Sequence, residues 1–211
     1  SFNGLEKGLN GSAGQFAEAL KKFKETKKKN LILDLRSNGG GFMDILTSVA
    51  AHLMGVENGS KKVVSKTIDK DGNVTNFVSE KVDYADYGFE KIIVLGDDGT
   101  ASASEALIGA MLDYDEKGIV SVVLSGYKDK SGEIIYRTYG KGIMQTTYEN
   151  PTTGEAIRLT TAKIYWPTSG ITIHGVGVTK DIEKYSVRVF TPTIEAGVDY
   201  EFNYAVGLIS G

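Results

Sequence analysis

The apolar residues of this chain follow two repeating patterns, one typical of amphipathic helices and one typical of buried strands. Phe16, Leu20 and Phe23 recur at helical spacing among lysines, which predicts an amphipathic helix with one solvated face. Short continuous apolar runs at residues 30–36 and 91–95 are too brief for helices and predict buried strands. Because strands and helices alternate along the chain, the pattern predicts a mixed α/β fold.

The same patterns predict the remaining elements. A second amphipathic helix is centred on Leu46 and Val49, and a third runs from roughly residue 104 to 115. The acidic turn at residues 69–72 predicts a hairpin. No repeat, linker or low-complexity tract divides the chain, so we expect one domain over residues 1–211. Strand character is found at residues 62–68, 73–82, 119–124, 134–139, 142–147, 158–165 and 185–190.

Composition excludes several classes of function. The formal net charge of −3 gives no basic surface for nucleic acid or an anionic membrane. The absence of cysteine excludes thiol nucleophiles and thiolate metal sites, and the two histidines exclude a three-histidine metal site. No apolar run approaches the roughly 20 residues that a membrane helix needs. The chain starts at Ser1 without methionine, and we therefore expect a processed protein or a cut fragment.

Two glycine-rich corners each follow a predicted strand and precede a predicted helix. We call residues 37–41 the glycine corner and residues 96–102 the serine corner. Unpaired N–H groups at a helix start attract a phosphate or a developing oxyanion. Neither corner has the glycine spacing of known phosphate-binding loops, so an oxyanion site is favoured. Such a site needs a nucleophile nearby.

The serine corner supplies a candidate nucleophile. Ser102 stands just before the third predicted helix, where its hydroxyl would be exposed at the end of a strand. The alternative is purely structural, because Ser102 and Glu105 have the spacing of a helix capping box. Ser104 competes with Ser102 for either role.

A catalytic serine needs a base, and three residues are candidates. Lys141 stands between two glycines, and burial would favour its neutral, basic form; otherwise it is a surface turn residue. His174 lies in a glycine-flanked loop and is the other candidate. His52 falls on an apolar helix, where we expect a packed or surface histidine. Gln145 points to the same side of a strand as Lys141 and could hold its amine.

Four segments together resemble the carboxyl-terminal processing peptidases, also called tail-specific serine proteases. They occur in the family's order and include both the serine and the lysine segments. The resemblance spans most of the chain, and the four segments together are a specific signal. They are LILDLRSNGGGF (31–42), GTASASEALIGAMLDY (99–114), TYGKGIMQT (138–146) and LTTAKIYWPTSGITIHGVGVTKDI (159–182).

The resemblance implies a crotonase/ClpP-like α/β catalytic core with a Ser/Lys dyad. In that family pattern Ser102 is the nucleophile, Lys141 the base and Gln145 its assistant. The oxyanion donors are the N–H of Ala103 and that of Gly40, with Gly41 as the alternative glycine. The matching aspartate at the end of the third helix, Asp113, has a structural role.

The implied function is a serine endopeptidase that cleaves protein or peptide substrates near their C-termini, with no metal, cofactor or nucleic acid. The resemblance also suggests a bacterial protein that is secreted, periplasmic or in the cell envelope. Two alternatives remain open. One is a catalytically silent module on the same fold that binds a peptide or ligand, and the other is a serine hydrolase with His174 as its base.

Two departures from the family pattern give further expectations. The stretch between Ser102 and Lys141 is longer than usual, and we expect the surplus at residues 127–136 to form a lengthened hairpin. Family members usually carry a PDZ domain before the catalytic core, whereas residue 1 here lies at the edge of the core. We therefore expect an isolated catalytic core or a relative without that domain.

Overall fold

The described residues form a mixed α/β fold, in which the strands make two four-stranded sheets and one short hairpin. The structure is a computed structural model that describes residues 2–3, 11–54, 61–79, 87–182, 184–193 and 195–210. The elements are α1 (Ser12–Glu25), β1 (Asn30–Asp34), α2 (Met43–Ala50), β2 (Val63–Asp69), β3 (Val74–Val78), β4 (Lys91–Gly96), α3 (Ala103–Asp113), β5 (Val120–Ser125), β6 (Tyr127–Lys128), β7 (Ile134–Ile135), β8 (Ile143–Glu149), β9 (Ala156–Tyr165), β10 (Val187–Phe190) and α4 (Tyr200–Ser210).

The first sheet is parallel, with strand order β1-β4-β5-β10. Alternate residues of β4 face opposite layers: Ile92 and Val94 join the main core with α2 and α3, whereas Ile93 and Leu95 pack against α4. Because both faces of β4 are covered, its sequence is apolar throughout instead of alternating. Within the described ranges, no helix is both long and apolar enough to cross a bilayer.

The second sheet is antiparallel, with strand order β3-β2-β9-β8, which leaves β8 at one edge. It contributes to the main core, because Val64 of β2 and Ile164 of β9 belong to the same core cluster as residues of α2 and α3. Lys141 lies just before β8. The candidate base therefore lies at the start of an edge strand.

Most predicted elements are confirmed, with shifts of a few residues at their ends. The lengthened hairpin expected at residues 127–136 is confirmed as the antiparallel pair β6–β7. The strand predicted at 134–139 is wrong beyond Ile135, because the backbone there leaves the strand and Thr138 instead binds Val178. The strand predicted at 73–82 ends at Val78, and residues 80–82 lie outside the described residues.

Helix α4 was not predicted from the pattern. Its apolar residues Ala205 and Leu208 belong to the core cluster that contains Ile93 and Leu95 of β4, on one face of the parallel sheet. Gly207 and two tyrosines interrupt its helical propensity, so the local signal is weak. Packing against the sheet stabilises this helix, and no local periodicity reports that contact.

Glycine is required inside α3 because of a close contact with a buried tryptophan. A Cβ atom added at Gly109 would lie 2.2 Å from Cδ1 of Trp166, whose side chain is fully buried. The indole fills the space that any larger residue would need. By contrast, a Cβ atom added at Gly207 of α4 would meet no atom within 4 Å.

We expect Gly109→Ala to lower the free energy of unfolding by about 1–3 kcal/mol, because the added methyl group overpacks the core. The matched control is Gly207→Ala, which should raise it by about 0.5–1 kcal/mol through higher helix propensity. Denaturant unfolding of both variants measures these changes. A Gly109→Ala variant as stable as the parent would contradict the packing described for Trp166.

Candidate active site

The glycine corner and the serine corner lie side by side because β1 and β4 are neighbouring parallel strands. Several hydrogen bonds join the glycine corner to the serine corner and to the first turn of α3. The carbonyl of Asn38 accepts from the N–H of Ala101 and from Oγ of Ser104, each at 3.0 Å, and the N–H of Ser37 donates to Asp97 Oδ1 at 2.7 Å. The fold therefore places the two predicted oxyanion donors at adjoining turns.

Ser102 has an unusual backbone conformation at the start of α3. Its φ of 58° and ψ of −116° lie in a region that residues other than glycine rarely adopt. Such a conformation costs about 1–3 kcal/mol and is maintained only by its surroundings. The residue is half-buried and lines a pocket.

Ser104, the competing serine, is fully buried. Its hydroxyl donates to the carbonyl of Asn38, so its described role is to join the first turn of α3 to the glycine corner. Only Ser102 of the two lines the pocket.

A single pocket of ≈ 770 Å³ is lined by four of the five predicted site residues. They are Gly40, Ser102, Lys141 and Gln145. The fifth residue, Ala103, is buried next to Ser102 at the start of α3. The geometry therefore brings the predicted nucleophile and base to one concave surface, with space for a peptide segment.

The two histidines lie elsewhere. His174 is exposed and is not among the described residues that line the pocket. His52 is half-buried, and its Nδ1 lies 2.7 Å from the hydroxyl of Tyr87, so of the packed and surface positions expected for it the packed one is observed. Lys141 is thus the candidate base that shares the pocket with Ser102.

The carboxylate of Glu105 connects the serine and lysine segments. It is completely buried and accepts hydrogen bonds from the N–H groups of Ser102 (2.8 Å), Gly140 (2.8 Å) and Lys141 (3.0 Å). The Ser102 bond is the contact expected of a helix cap. The other two tie the backbone around the candidate base to the same carboxylate.

A fourth hydrogen bond to Glu105 comes from the hydroxyl of Thr138. Because that hydroxyl oxygen already accepts the N–H of Val178 at 2.7 Å, its hydrogen is directed to Glu105. Burial raises the pKa of Glu105, and the hydrogen bonds from Thr138 and the backbone oppose that shift. The sequence pattern identified Glu105 only as a cap and did not identify Thr138.

The predicted oxyanion donors are close to each other. A Cβ atom added at Gly40, whose φ is +92°, would lie 2.7 Å from the backbone nitrogen of Ala103. The N–H of Gly40 donates to Oδ1 of Asn38 at 3.1 Å, so it can bind an oxyanion only when that bond opens. The N–H of Gly41 has no acceptor among the described residues. The choice between the two glycines stays a prediction.

Asp113 anchors the end of α3 to the turn after β9. Its carboxylate accepts from the N–H groups of Thr168 (2.7 Å) and Ser169 (2.9 Å) and from the hydroxyl of Tyr185. Burial alone would raise its pKa, but these hydrogen bonds hold the pKa below the usual range. Asp113 does not line the pocket, in agreement with the structural role expected for it.

Comparison with known proteins identifies related sequences. A family model described as Peptidase family S41 matches residues 1–184. The chain is 35% identical over 156 residues to a carboxy-terminal-processing protease of Bartonella bacilliformis, covering 74% of this chain and 31% of that protein. It is 32% identical over 202 residues to a probable CtpA-like serine protease of Staphylococcus aureus, covering 92% of this chain and 36% of that protein. The chain thus spans about a third of these relatives' length.

Solved structures show the same fold. A photosystem II D1 C-terminal processing protease superposes with a TM-score of 0.62 at 26% identity, covering 89% of this chain and 42% of that one. A Bacteroides fragilis protein described as an S41 protease superposes with a TM-score of 0.71 at 14% identity, covering 100% of this chain and 52% of that one. The second similarity concerns the fold alone.

Proposed function

This chain belongs to peptidase family S41, and from that membership we propose that it is a serine endopeptidase of the carboxyl-terminal processing type. Its substrates would be proteins or peptides, cleaved near their C-termini through an acyl-enzyme. The observation that carries the proposal is the shared pocket of Ser102 and Lys141, whose backbone N–H groups both bind the buried carboxylate of Glu105.

In the first step Lys141, in its neutral form, accepts the proton of Ser102 Oγ as that oxygen attacks the peptide carbonyl. The N–H of Ala103 and that of a glycine in the glycine corner donate to the oxyanion that forms. Each such donor is worth roughly 3–4 kcal/mol in comparable sites. Gln145 holds the lysine amine in place. As the C–N bond breaks, the Lys141 ammonium returns its proton to the leaving amine, and the acyl group stays on Ser102.

The second step releases the acyl group. Neutral Lys141 takes a proton from water, whose oxygen attacks the ester carbonyl, and the same N–H groups bind the new oxyanion. The C–O bond to Ser102 then breaks, and the lysine returns the proton to the serine oxygen. The product leaves as a carboxylic acid, which gives its remaining proton to solvent, and the serine and lysine are restored.

Three further features belong to the same proposal. The α/β architecture is that of a crotonase/ClpP-like catalytic core, and residues 1–211 form one protease domain. This is supported by a continuous core that includes residues of both four-stranded sheets. The protein acts outside the cytoplasm, being secreted, periplasmic or in the cell envelope, which rests on the family resemblance.

We expect kcat/KM to rise with pH and to continue rising above about pH 8, where a histidine base would already be neutral. The reason is that a lysine amine accepts a proton only in its neutral form, and the neutral form of any amine is favoured as pH increases. The measurement is kcat/KM against pH on one fluorogenic peptide for the parent, Lys141→Ala and His174→Ala.

His174→Ala is the matched control and should keep the parent profile. Lys141→Ala should lose about 10²–10⁴-fold in kcat/KM, the usual contribution of a general base. If kcat/KM of the parent levelled off near neutral pH and activity were lost in His174→Ala, the Ser/Lys assignment would be replaced by a Ser/His one. Tight peptide binding by the parent without turnover would support the silent binding module instead.

A further inference from the structure

The pocket that contains Ser102 and Lys141 has an uneven distribution of charge. Its charged lining residues are Asp44 from α2, Lys141 before β8 and Arg158 from β9. Among the described residues, no ion pair within 4 Å joins any two of these three groups. The mechanism proposed above requires neutral Lys141, so among the described lining residues the guanidinium of Arg158 is the cation that stays charged.

The register of the β8–β9 hairpin places Arg158 relative to the candidate catalytic residues. Gln145 is opposite Thr160, and Thr147 is opposite Arg158. Side chains two residues apart on a strand share a face, so Gln145, Thr147 and Arg158 lie on one face of the hairpin. That face runs along β8, the edge strand of its sheet, away from the end near Lys141.

Arg158 is held by its neighbour yet keeps free hydrogen-bond donors. Its Nε donates to Oγ1 of Thr147 at 3.2 Å, and within the described ranges no acidic side chain lies within 4 Å of its guanidinium. Arg36 shows the contrast, because its guanidinium is surrounded by three carboxylates. The side chain of Arg158 is exposed, and the Nη1 and Nη2 groups of its planar guanidinium have the geometry that binds a carboxylate with two parallel hydrogen bonds.

Resting on the peptidase activity proposed above, we propose that Arg158 is a specificity-determining residue that binds a carboxylate of the substrate peptide. The carboxylate is either an acidic side chain or the free C-terminus of the substrate. A peptide that extends along the edge of β8 would carry this group past Gln145 to Arg158. The pocket thus selects substrates by charge at a point away from the bond that is cleaved.

Strand geometry gives the distance between the two points. An extended chain advances about 3.3 Å per residue, so the backbone from Lys141 to Thr147 spans roughly 20 Å. The recognised carboxylate should therefore lie roughly four to seven residues from the scissile bond. Substrates shorter than this should gain nothing from Arg158.

The test uses fluorogenic peptides with one cleavage site and amidated C-termini. A single glutamate is moved through successive positions on each side of that site, and each peptide has a partner with glutamine at the same position. We expect the Glu/Gln ratio of kcat/KM to reach about three- to tenfold at one position, mainly through KM, and to shrink at high salt. In Arg158→Gln that ratio should fall to one, whereas Arg158→Lys should keep part of it.

In a second set of peptides the chain ends at the preferred position, and its C-terminus is either a free carboxylate or an amide. It shows whether a terminal carboxylate replaces the acidic side chain. The matched control is Arg188→Gln, which removes an exposed arginine of β10 outside the pocket and should leave the Glu/Gln ratio unchanged. A ratio of one at every position in the parent, or a preference that survives in Arg158→Gln, would overturn the proposal.

Failure to cleave any peptide would count against the peptidase activity and not against the carboxylate contact. The contact would then be measured as binding of labelled Glu and Gln peptides to the protein by fluorescence anisotropy. Tighter binding of the Glu peptide that is lost in Arg158→Gln would support the proposal, and equal binding of both peptides would overturn it.

Discussion

Replacing Ser102 with alanine is expected to lower kcat/KM for peptide cleavage by about 10⁴-fold or more, because the attacking oxygen is lost. The fold should survive, since the contact of this residue with Glu105 is made by its backbone N–H and remains available in alanine. Alanine also has a Cβ atom, so the strain of the backbone at φ 58° is unchanged. Activity and thermal unfolding of the purified variant measure both effects.

Ser104→Ala is the matched control, because it removes a hydroxyl two residues further along the same helix. It should lose about 1 kcal/mol of stability, since the carbonyl of Asn38 loses one donor, while cleavage persists. The opposite result, an active Ser102→Ala and an inactive Ser104→Ala, would show that the nucleophile has been assigned to the wrong serine.

Glu105→Gln is expected to lower kcat by about 100-fold, because displacement of catalytic groups by about 1 Å has an effect of that size. The carboxylate accepts two donors on each oxygen. A glutamine amide must turn its NH₂ group toward one of these pairs. In either orientation the NH₂ group then faces at least one backbone N–H group, that of Gly140 or those of Ser102 and Lys141. Because two donors repel each other, we expect the serine and lysine segments to move apart.

Because Glu105 does not line the pocket, its loss should change kcat much more than KM. The stability should also fall, by about 1–3 kcal/mol for an unpaired buried polar group. Glu116→Gln, at an exposed position after α3, is the matched control and should change neither quantity. If Glu105→Gln kept the parent's kcat, Glu105 would be a helix cap and no more.

Most helices and strands could be predicted from patterns within short stretches of the sequence. A continuous apolar run predicted the buried strand β4, and apolar residues at helical spacing predicted the helices α1 and α2, because the covered face of each element is apolar. The two glycine-rich corners were visible in the same way. Four family-like segments then associated Ser102 and Lys141 with one reaction before any contact between them was known.

The sequence by itself therefore determined the α/β class, the family resemblance and the candidate pair. Only the tertiary structure decided which serine lines the pocket, that Glu105 joins Ser102 to Lys141, and that Arg158 shares the pocket with them. The physical reason is distance along the chain. The contact of Glu105 with Lys141 joins residues 36 positions apart, and helix α4 is stabilised by strands far from it in sequence. Local periodicity reports which face of an element is buried, whereas the partner on that face is fixed only when the layers pack.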